Sequence, residues 1–306
     1  MKLTRPTNFN EFIGKNELKE KLLTFINASI SQNKSLDHVL FYGPPGVGKT
    51  SLAQIIANEL KSKIKILQAS QIQKPSDLLN AFSLLSKNDV LFIDEIHSLN
   101  PAIMELLFPV MEDYVIDILI GKDFNSKFTR MKLPPFTLIG ATTMYGRIID
   151  PLEERFGILL KLDYYQDEEI FEIIKTANAK DKIKLSDDEI QSIALNSKGT
   201  PRNALRIYKR VMDFKLFNKK ENIHQILEKL NIHKFGLSNL DLEYLKVFEN
   251  NPKQYLGLKS LSLISGIDGF TIESKIEPYL IKLCLIKKTS KGRQITQKAI
   301  EYFKDN

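Results

Sequence analysis

The 306 residues carry 44 Lys and Arg against 37 Asp and Glu, a net charge of +7, and 43% of them are hydrophobic. That length and apolar content can fill about two or three cores, which excludes a disordered chain or a small disulfide-stapled fold. The one cysteine, Cys284, can form neither an internal disulfide nor a zinc cage, so a reducing cytoplasm is the expected compartment. No apolar run approaches the ~18 residues that cross a bilayer, and residues 1–6 offer no signal-peptide core. The positive surplus suits a polyanionic partner, although surplus lysine often serves only as solvated surface.

In chain order, short apolar runs at 39–42, 63–67, 90–94, 136–140 and 158–162 alternate with patterns of helical period, as in a parallel α/β sheet. Between the first two, Leu52, Ile55, Ile56 and Leu60 mark one helix face. After the third, Asn100 can cap and Pro101 can open a helix bearing Ile103, Leu106, Leu107 and Val110. Residues 114–133 read as a β-hairpin, with Ile116, Ile118 and Ile120 on one strand face and Gly121 near the turn. Such a face is sticky unless a partner or its own domain covers it. From about Tyr165 the strands cease. Asp167 can cap a helix with Ile170, Ile173 and Ile174, and Thr200-Pro201 opens another with Leu205, Tyr208 and Val211. Beyond Gly236, three short helical patterns precede a strand–turn–strand at 285–296, the order of a winged helix. The expected limits are 1–164 for a large α/β domain, 165–235 for a small helical domain and 236–306 for a winged-helix head.

The segment Gly43-Pro44-Pro45-Gly46-Val47-Gly48-Lys49-Thr50 has the phosphate-loop spacing, between an apolar strand and a helix that starts at Ser51. Its glycines let backbone N–H groups turn inward around phosphate oxygens, Lys49 reaches the β- and γ-phosphates, and the Thr50 hydroxyl suits magnesium. The positive end of the helix points at the same anion. Asp94 and Glu95 follow the third apolar run, where one carboxylate can hold magnesium through water and the next can orient the attacking water. His97, two residues on, suits a structural role as well as a catalytic one.

Phosphoryl transfer gains most from neutralising charge on the transferring group. Arg155, in Glu153-Glu154-Arg155-Phe156-Gly157, lies far along the chain from the phosphate loop and suits the nucleotide of a neighbouring subunit. Arg202, in Gly199-Thr200-Pro201-Arg202, opens a helix of the small domain and can clamp the γ-phosphate of its own subunit. Read singly, either arginine is an ordinary surface ion pair, and only position relative to the phosphate loop argues otherwise. Thr142 and Thr143, at the end of the fourth strand, can bond the γ-phosphate or its water.

Together these segments resemble the AAA+ superfamily and, more narrowly, the RuvB family of Holliday junction branch-migration ATPases, nearly end to end. Arg5-Pro6 with Glu11-Phe12-Ile13-Gly14 resembles the family's adenine-side motif. Residues 43–50, 91–97 and 138–143 resemble its Walker A, Walker B and sensor 1. The resemblance implies an AAA+ P-loop core with a parallel five-stranded sheet, a small helical lid and a C-terminal winged helix. It implies ATP and magnesium, with Arg155 as an arginine finger acting in trans and Arg202 as sensor 2. Glu112, Asp113, Tyr114 and Tyr165 match positions that the family uses around nucleotide. It implies a hexameric ring of the chain itself, docking of the hairpin isoleucines on RuvA, and a Holliday junction or other duplex DNA as the substrate. The RuvC resolvase is a further partner to which it points.

Lys287, Lys288, Lys291 and Arg293 crowd the C-terminal hairpin and offer charge to phosphates with little to read base edges, so binding there should be sequence-independent and salt-sensitive. Ser98 and Met144 stand where relatives usually have arginine, Glu153-Glu154 where they have Arg-Asp, and Lys288-Thr289-Ser290-Lys291-Gly292-Arg293 where they have an arginine-rich wing. Lysine acts as a point charge and forgoes the bidentate contact. Two other readings stay open on the residues alone. One is a clamp-loader-type ATPase, which would end in a helical collar; the other is an ATP-gated DNA-binding switch without motor activity.

Overall fold

Runs of Val, Ile, Leu and Phe flanked by turn residues become β1 (Val39–Tyr42), β2 (Ile64–Gln68) and β3 (Val90–Asp94). A hairpin of β4 (Val115–Ile120) and β5 (Lys127–Lys132) follows, then β6 (Thr137–Thr142) and β7 (Ile158–Lys161). The computed structural model describes residues 5–120, 127–218, 220–248 and 254–304. Five strands form one sheet in the order β2-β3-β6-β1-β7, every neighbouring pair parallel. A parallel sheet is covered on both faces, and this explains why its central strands read as unbroken apolar runs. Leu91, Phe92 and Ile93 are all fully buried, whereas Ile66 on the edge strand β2 is 43% exposed. Each fully buried side chain of this size contributes roughly 1.5–3 kcal/mol.

The same unit holds α1 (Asn16–Ser31), α2 (Lys49–Glu59), α3 (Pro75–Phe82), α4 (Pro101–Asp113) and α5 (Asp150–Glu153). Asn100 caps α4 as its sequence requires, its side chain accepting from the Ile103 N–H at 2.8 Å, with Pro101 in the first turn. Leu107, Val110 and Phe136 pack in the core under α4, beside a buried imidazole. His38 bonds the Met111 carbonyl through Nε2 at 3.1 Å and accepts from the Leu138 N–H through Nδ1 at 2.9 Å. Burial drives its pKa down to about 4, against the Met111 bond and Asp37, which raise it.

The hairpin corrects one expectation. Ile116 is not on an exposed face: it is 1% exposed and belongs to the core beneath α4, so its own domain covers it. The side chains of Ile118 and Ile120, and all of Gly121, lie outside the described residues. Across the hairpin, Arg130 grips both Asp117 oxygens at 2.8 Å.

Contacts divide the backbone into two units, residues 1–173 with 200–202 and residues 174–199 with 203–306, so the boundary falls inside α6 (Asp167–Lys180). In the second unit, α7 (Asp187–Leu195), α8 (Pro201–Phe217) and α9 (Ile223–Lys229) pack through Ile190, Ile193, Ile207, Val211 and Ile226. Buried Asn178 closes the loop after α6 by exchanging two 3.0 Å bonds with the backbone of Leu185. Residues from 234 onward form α10 (Asn239–Lys246), α11 (Leu258–Ser265) and a run of α12 (Gly269–Thr271), a π segment at Ile272–Ile276 and α13 (Glu277–Lys282). The hairpin β8 (Ile286–Thr289) and β9 (Gly292–Ile295) and the final α14 (Gln297–Lys304) complete them around Tyr244, Phe248, Leu261, Leu280 and Leu285. Three helical segments and a two-stranded wing fulfil the expected pattern. Lys198 joins this part to the helices before it through a 2.6 Å ion pair with buried Asp241.

Candidate active site

Strands β3, β6 and β1 lie side by side, with Ile93 opposite Gly140 and Thr142 opposite Tyr42, so their C-terminal ends form one rim. Ligands of open parallel sheets collect at such an edge. The rim carries Gly43, the Thr142-Thr143 pair and the Asp94-Glu95 pair.

The phosphate loop is anchored where Gly43 N donates to the Thr142 carbonyl at 3.2 Å. Gly43 has a φ of 142°, and a Cβ there would stand 2.1 Å from the Leu162 carbonyl oxygen, so only glycine fits. Lys49 begins α2 and folds back on its loop, donating to the Gly43 and Pro44 carbonyls at 2.7 and 2.9 Å. Burial lowers its pKa to about 8; Glu95 and Asp94 oppose that shift and Arg202 adds to it. These three charges are therefore electrostatic neighbours of the lysine, as the expected roles need. Thr50 and Ser51 follow at the same helix end, half-buried.

Asp94 Oδ1 accepts the Glu95 N–H at 3.1 Å, and Oδ2 accepts from Gln68 Nε2 at 3.4 Å. Glu95 sits at φ 52°, a left-handed conformation costly for a non-glycine residue and common at functional sites. Its Oε2 accepts from Thr143 N at 3.1 Å and from the Thr143 hydroxyl at 2.9 Å. His97 Nδ1 lies 3.3 Å from that same oxygen and 2.8 Å from Thr142 Oγ1, which also accepts from Met144 N at 3.0 Å. Burial holds the imidazole below its ordinary pKa, Glu95 opposing and Arg147 assisting. Gln68 is a site neighbour that the sequence did not disclose, since it meets Asp94 only through the β2–β3 register.

Arg202 reaches this rim through its backbone, its N–H donating to the Gly46 carbonyl at 3.3 Å. Tyr165 is buried nearby under Lys15, whose Nζ stands 4.5 Å from the ring centre, and burial raises its hydroxyl pKa. Arg5 is exposed.

Arg155 is placed elsewhere. Its partners are Glu112, at 2.9 Å, the Pro151 carbonyl, and the Phe108 ring, 4.5 Å below the guanidinium; none belongs to the phosphate loop. Its Nε is buried with no hydrogen-bond partner. Glu112 is thus the acidic partner of this arginine. Asp113 is exposed, and Tyr114 ends α4 at φ 54°, edge-on to Phe136 at 6.0 Å.

Among the described residues no group of three or more His, Cys, Asp or Glu side chains gathers as a metal cage. The available donors are hard oxygens, the Thr50 hydroxyl and the Asp94 carboxylate. One or two such donors suit magnesium, which keeps waters and substrate oxygens in its shell.

The wing requires a second correction. Arg293 does not face solvent: its side chain is 9% exposed and locked to Glu277, with Nε to Oε1 at 2.7 Å and Nη2 to Oε2 at 3.2 Å. Nη2 also reaches Glu273 at 2.8 Å, and Tyr244 donates to Glu277 Oε1 at 3.1 Å. A guanidinium held by the buried Glu277 and the exposed Glu273 is not offered to phosphates. Lys288 bonds Glu273 at 2.9 Å, leaving Lys287 and Lys291 as the exposed wing charges without an acidic partner among the described residues.

A sheet that inserts β6 between the phosphate loop and its acidic pair, with a helix-opening arginine on Gly46, makes this a P-loop ATPase of the AAA+ class. Its winged-helix ending narrows that class. Residues 4–162 match the Holliday junction DNA helicase RuvB P-loop domain, 165–238 the RuvB AAA lid domain, and 234–304 the RuvB C-terminal winged helix domain. The chain therefore belongs to the RuvB family. It is 49% identical over 302 residues to the Holliday junction branch migration complex subunit RuvB of Mycoplasma genitalium, covering 99% of this chain and 98% of that protein. The Fusobacterium nucleatum subunit of the same name is 42% identical, over 99% of this chain and 93% of its own. The solved Thermotoga maritima RuvB Holliday junction branch migration motor superposes with a TM-score of 0.85 at 38% identity, covering 98% of both chains.

Proposed function

We propose that this chain is an ATP-driven motor that moves Holliday junctions along DNA. The carrying observation is the match to RuvB over nearly the whole chain. The domain limits consistent with this reading lie near 164 and 235. No described helix is long and apolar enough to cross a membrane, which agrees with work in the bacterial cytoplasm.

In this mechanism the loop N–H groups and Lys49 bind the ATP phosphates, and Lys49 exchanges its carbonyl partners for phosphate oxygens. Thr50 and Asp94 would hold magnesium, which supplies charge neutralisation at the phosphates. Glu95 accepts a proton from the attacking water as the new oxygen–phosphorus bond forms and the bond to the ADP oxygen breaks. Thr143 keeps the carboxylate aimed, and Arg202 senses the γ-phosphate within its own protomer. Arg155 completes the site of a neighbour in a hexameric ring, which requires it to leave Glu112. Hydrolysis then changes the angle between protomers and draws duplex DNA through the ring, with Lys287 and Lys291 on the phosphates. RuvA would dock on the β4–β5 hairpin through residues other than Ile116, which the core has taken up.

The test is four-way-junction branch migration with ATP and the cognate RuvA, paired with single-turnover hydrolysis in mixtures of wild-type and Arg155→Ala protein. A neighbour's arginine should restore hydrolysis at the mutant's own site. No hydrolysis at the mutant's own site whatever the excess of wild-type protein, or ATP use indifferent to a junction, would overturn the proposal.

A further inference from the structure

His97 is left over by the mechanism above, yet it sits between two of its parts. It occupies the short turn after β3 (Ile96–Ser98), with a side chain only 7% exposed, and contacts the ends of two neighbouring strands. Its Nδ1 lies 3.3 Å from Glu95 Oε2 and 2.8 Å from Thr142 Oγ1, so a ring proton on Nδ1 would face both oxygens. Thr142 Oγ1, already accepting from Met144 N, then takes a share of that same N–H at 2.8 Å. The outcome is asymmetric for Glu95. Two donors, the Thr143 N–H and the Thr143 hydroxyl, bond Oε2, His97 Nδ1 stands 3.3 Å from the same oxygen, and none of the three touches Oε1.

We propose that His97 is a positioning residue for hydrolysis, its Nδ1–H tying Glu95 Oε2 to the sensor threonine so that Oε1 is the oxygen presented to water. This rests on the reading of Glu95 as the proton acceptor. The physical cause is rotational. A carboxylate held at one oxygen by Thr143 alone can still swing about its last torsion, whereas an imidazole packed against that same oxygen and held by Thr142 restricts the swing. Misplacing a reacting group by about 1 Å can cost on the order of a hundredfold in rate without touching substrate binding. The bridge also couples two strand ends, because one imidazole spans Thr142 of β6 and Glu95 just after β3.

The experiment compares His97→Ala, His97→Asn and His97→Gln by single-turnover ATP hydrolysis and by the affinity of a fluorescent ATP analogue. Asparagine sets a side-chain N–H near the place of Nδ1, whereas glutamine sets it one atom further, near Nε2. The expected result is about a 10- to 100-fold fall in the hydrolysis rate for alanine, with analogue affinity within about twofold of wild type. Asparagine should recover most of the rate and glutamine little. An unchanged rate for alanine would overturn the proposal, as would equal recovery by asparagine and glutamine. Should alanine fold poorly, the asparagine–glutamine pair still decides. A Glu95→Gln background separates the two readings. If Glu95→Gln hydrolyses ATP normally, the assignment of the base has failed; if it is inactive while His97→Ala is normal, only the role of His97 has.

Discussion

Replacing Arg293 by alanine and, separately, Lys291 by alanine should divide stability from DNA binding within one wing. Arg293 holds Glu277, whose side chain is 2% exposed, through two bonds of 2.7 and 3.2 Å. Without the guanidinium, that carboxylate keeps the Tyr244 hydroxyl, and Lys288 Nζ lies 3.7 Å away, 48% exposed and able to swing inward. Breaking a buried pair from one side costs about 3–5 kcal/mol, and the help from Lys288 points to the lower end, about 3 kcal/mol. Each 1.4 kcal/mol is a factor of ten, so amide protection of Tyr244 and Leu280 in native-state hydrogen exchange should fall roughly a hundredfold. DNA affinity of the folded Arg293→Ala protein should change little, because the charge removed was already neutralised. Lys291→Ala should leave protection unchanged and reduce the salt dependence of DNA binding by about one phosphate contact. The reasoning is refuted if Arg293→Ala keeps full protection and loses DNA affinity, since the arginine would then serve phosphates and not Glu277.

Two further outcomes follow from the α/β unit. His38 is held neutral, with a folded pKa of about 4 against about 6.5 unfolded, so the unfolded chain binds more protons between those values. Stability is therefore complete above pH 6.5 and declines as pH falls toward 4, by about 3 kcal/mol from this group, and NMR of the His38 ring should show no protonation at pH 6. Gly43→Ala should weaken ATP binding at least about tenfold, because the new Cβ meets the Leu162 backbone at 2.1 Å while Leu162 N is bonded to the Tyr42 carbonyl at 2.8 Å; unchanged affinity for a fluorescent ATP analogue would contradict that account.

What the sequence determined by itself was everything local. The phosphate loop needs glycines at fixed offsets and a lysine at the next helix start. The Asn100-Pro101 cap needs only its own next turn. Periods of two and near 3.6 separate strands from helices without any distant residue. Those signals gave the five parallel strands, the helices between them, the winged-helix order and the residues of the nucleotide rim. Only the tertiary structure decided which polar groups meet across elements. Ile116 reads as a hairpin residue available to a partner, and it is α4 and the core below it that bury the side chain. Arg293 reads as one of four wing cations, and a carboxylate sixteen positions earlier, brought up by packing of α13 on β8, removes it from the surface. His97 is ambiguous in the chain because its meaning lies in Thr142 and Glu95 at the ends of two other elements. The physical reason is common to all three: a side chain's burial and its charge partners depend on long-range contacts, and residue type at one position carries no record of them.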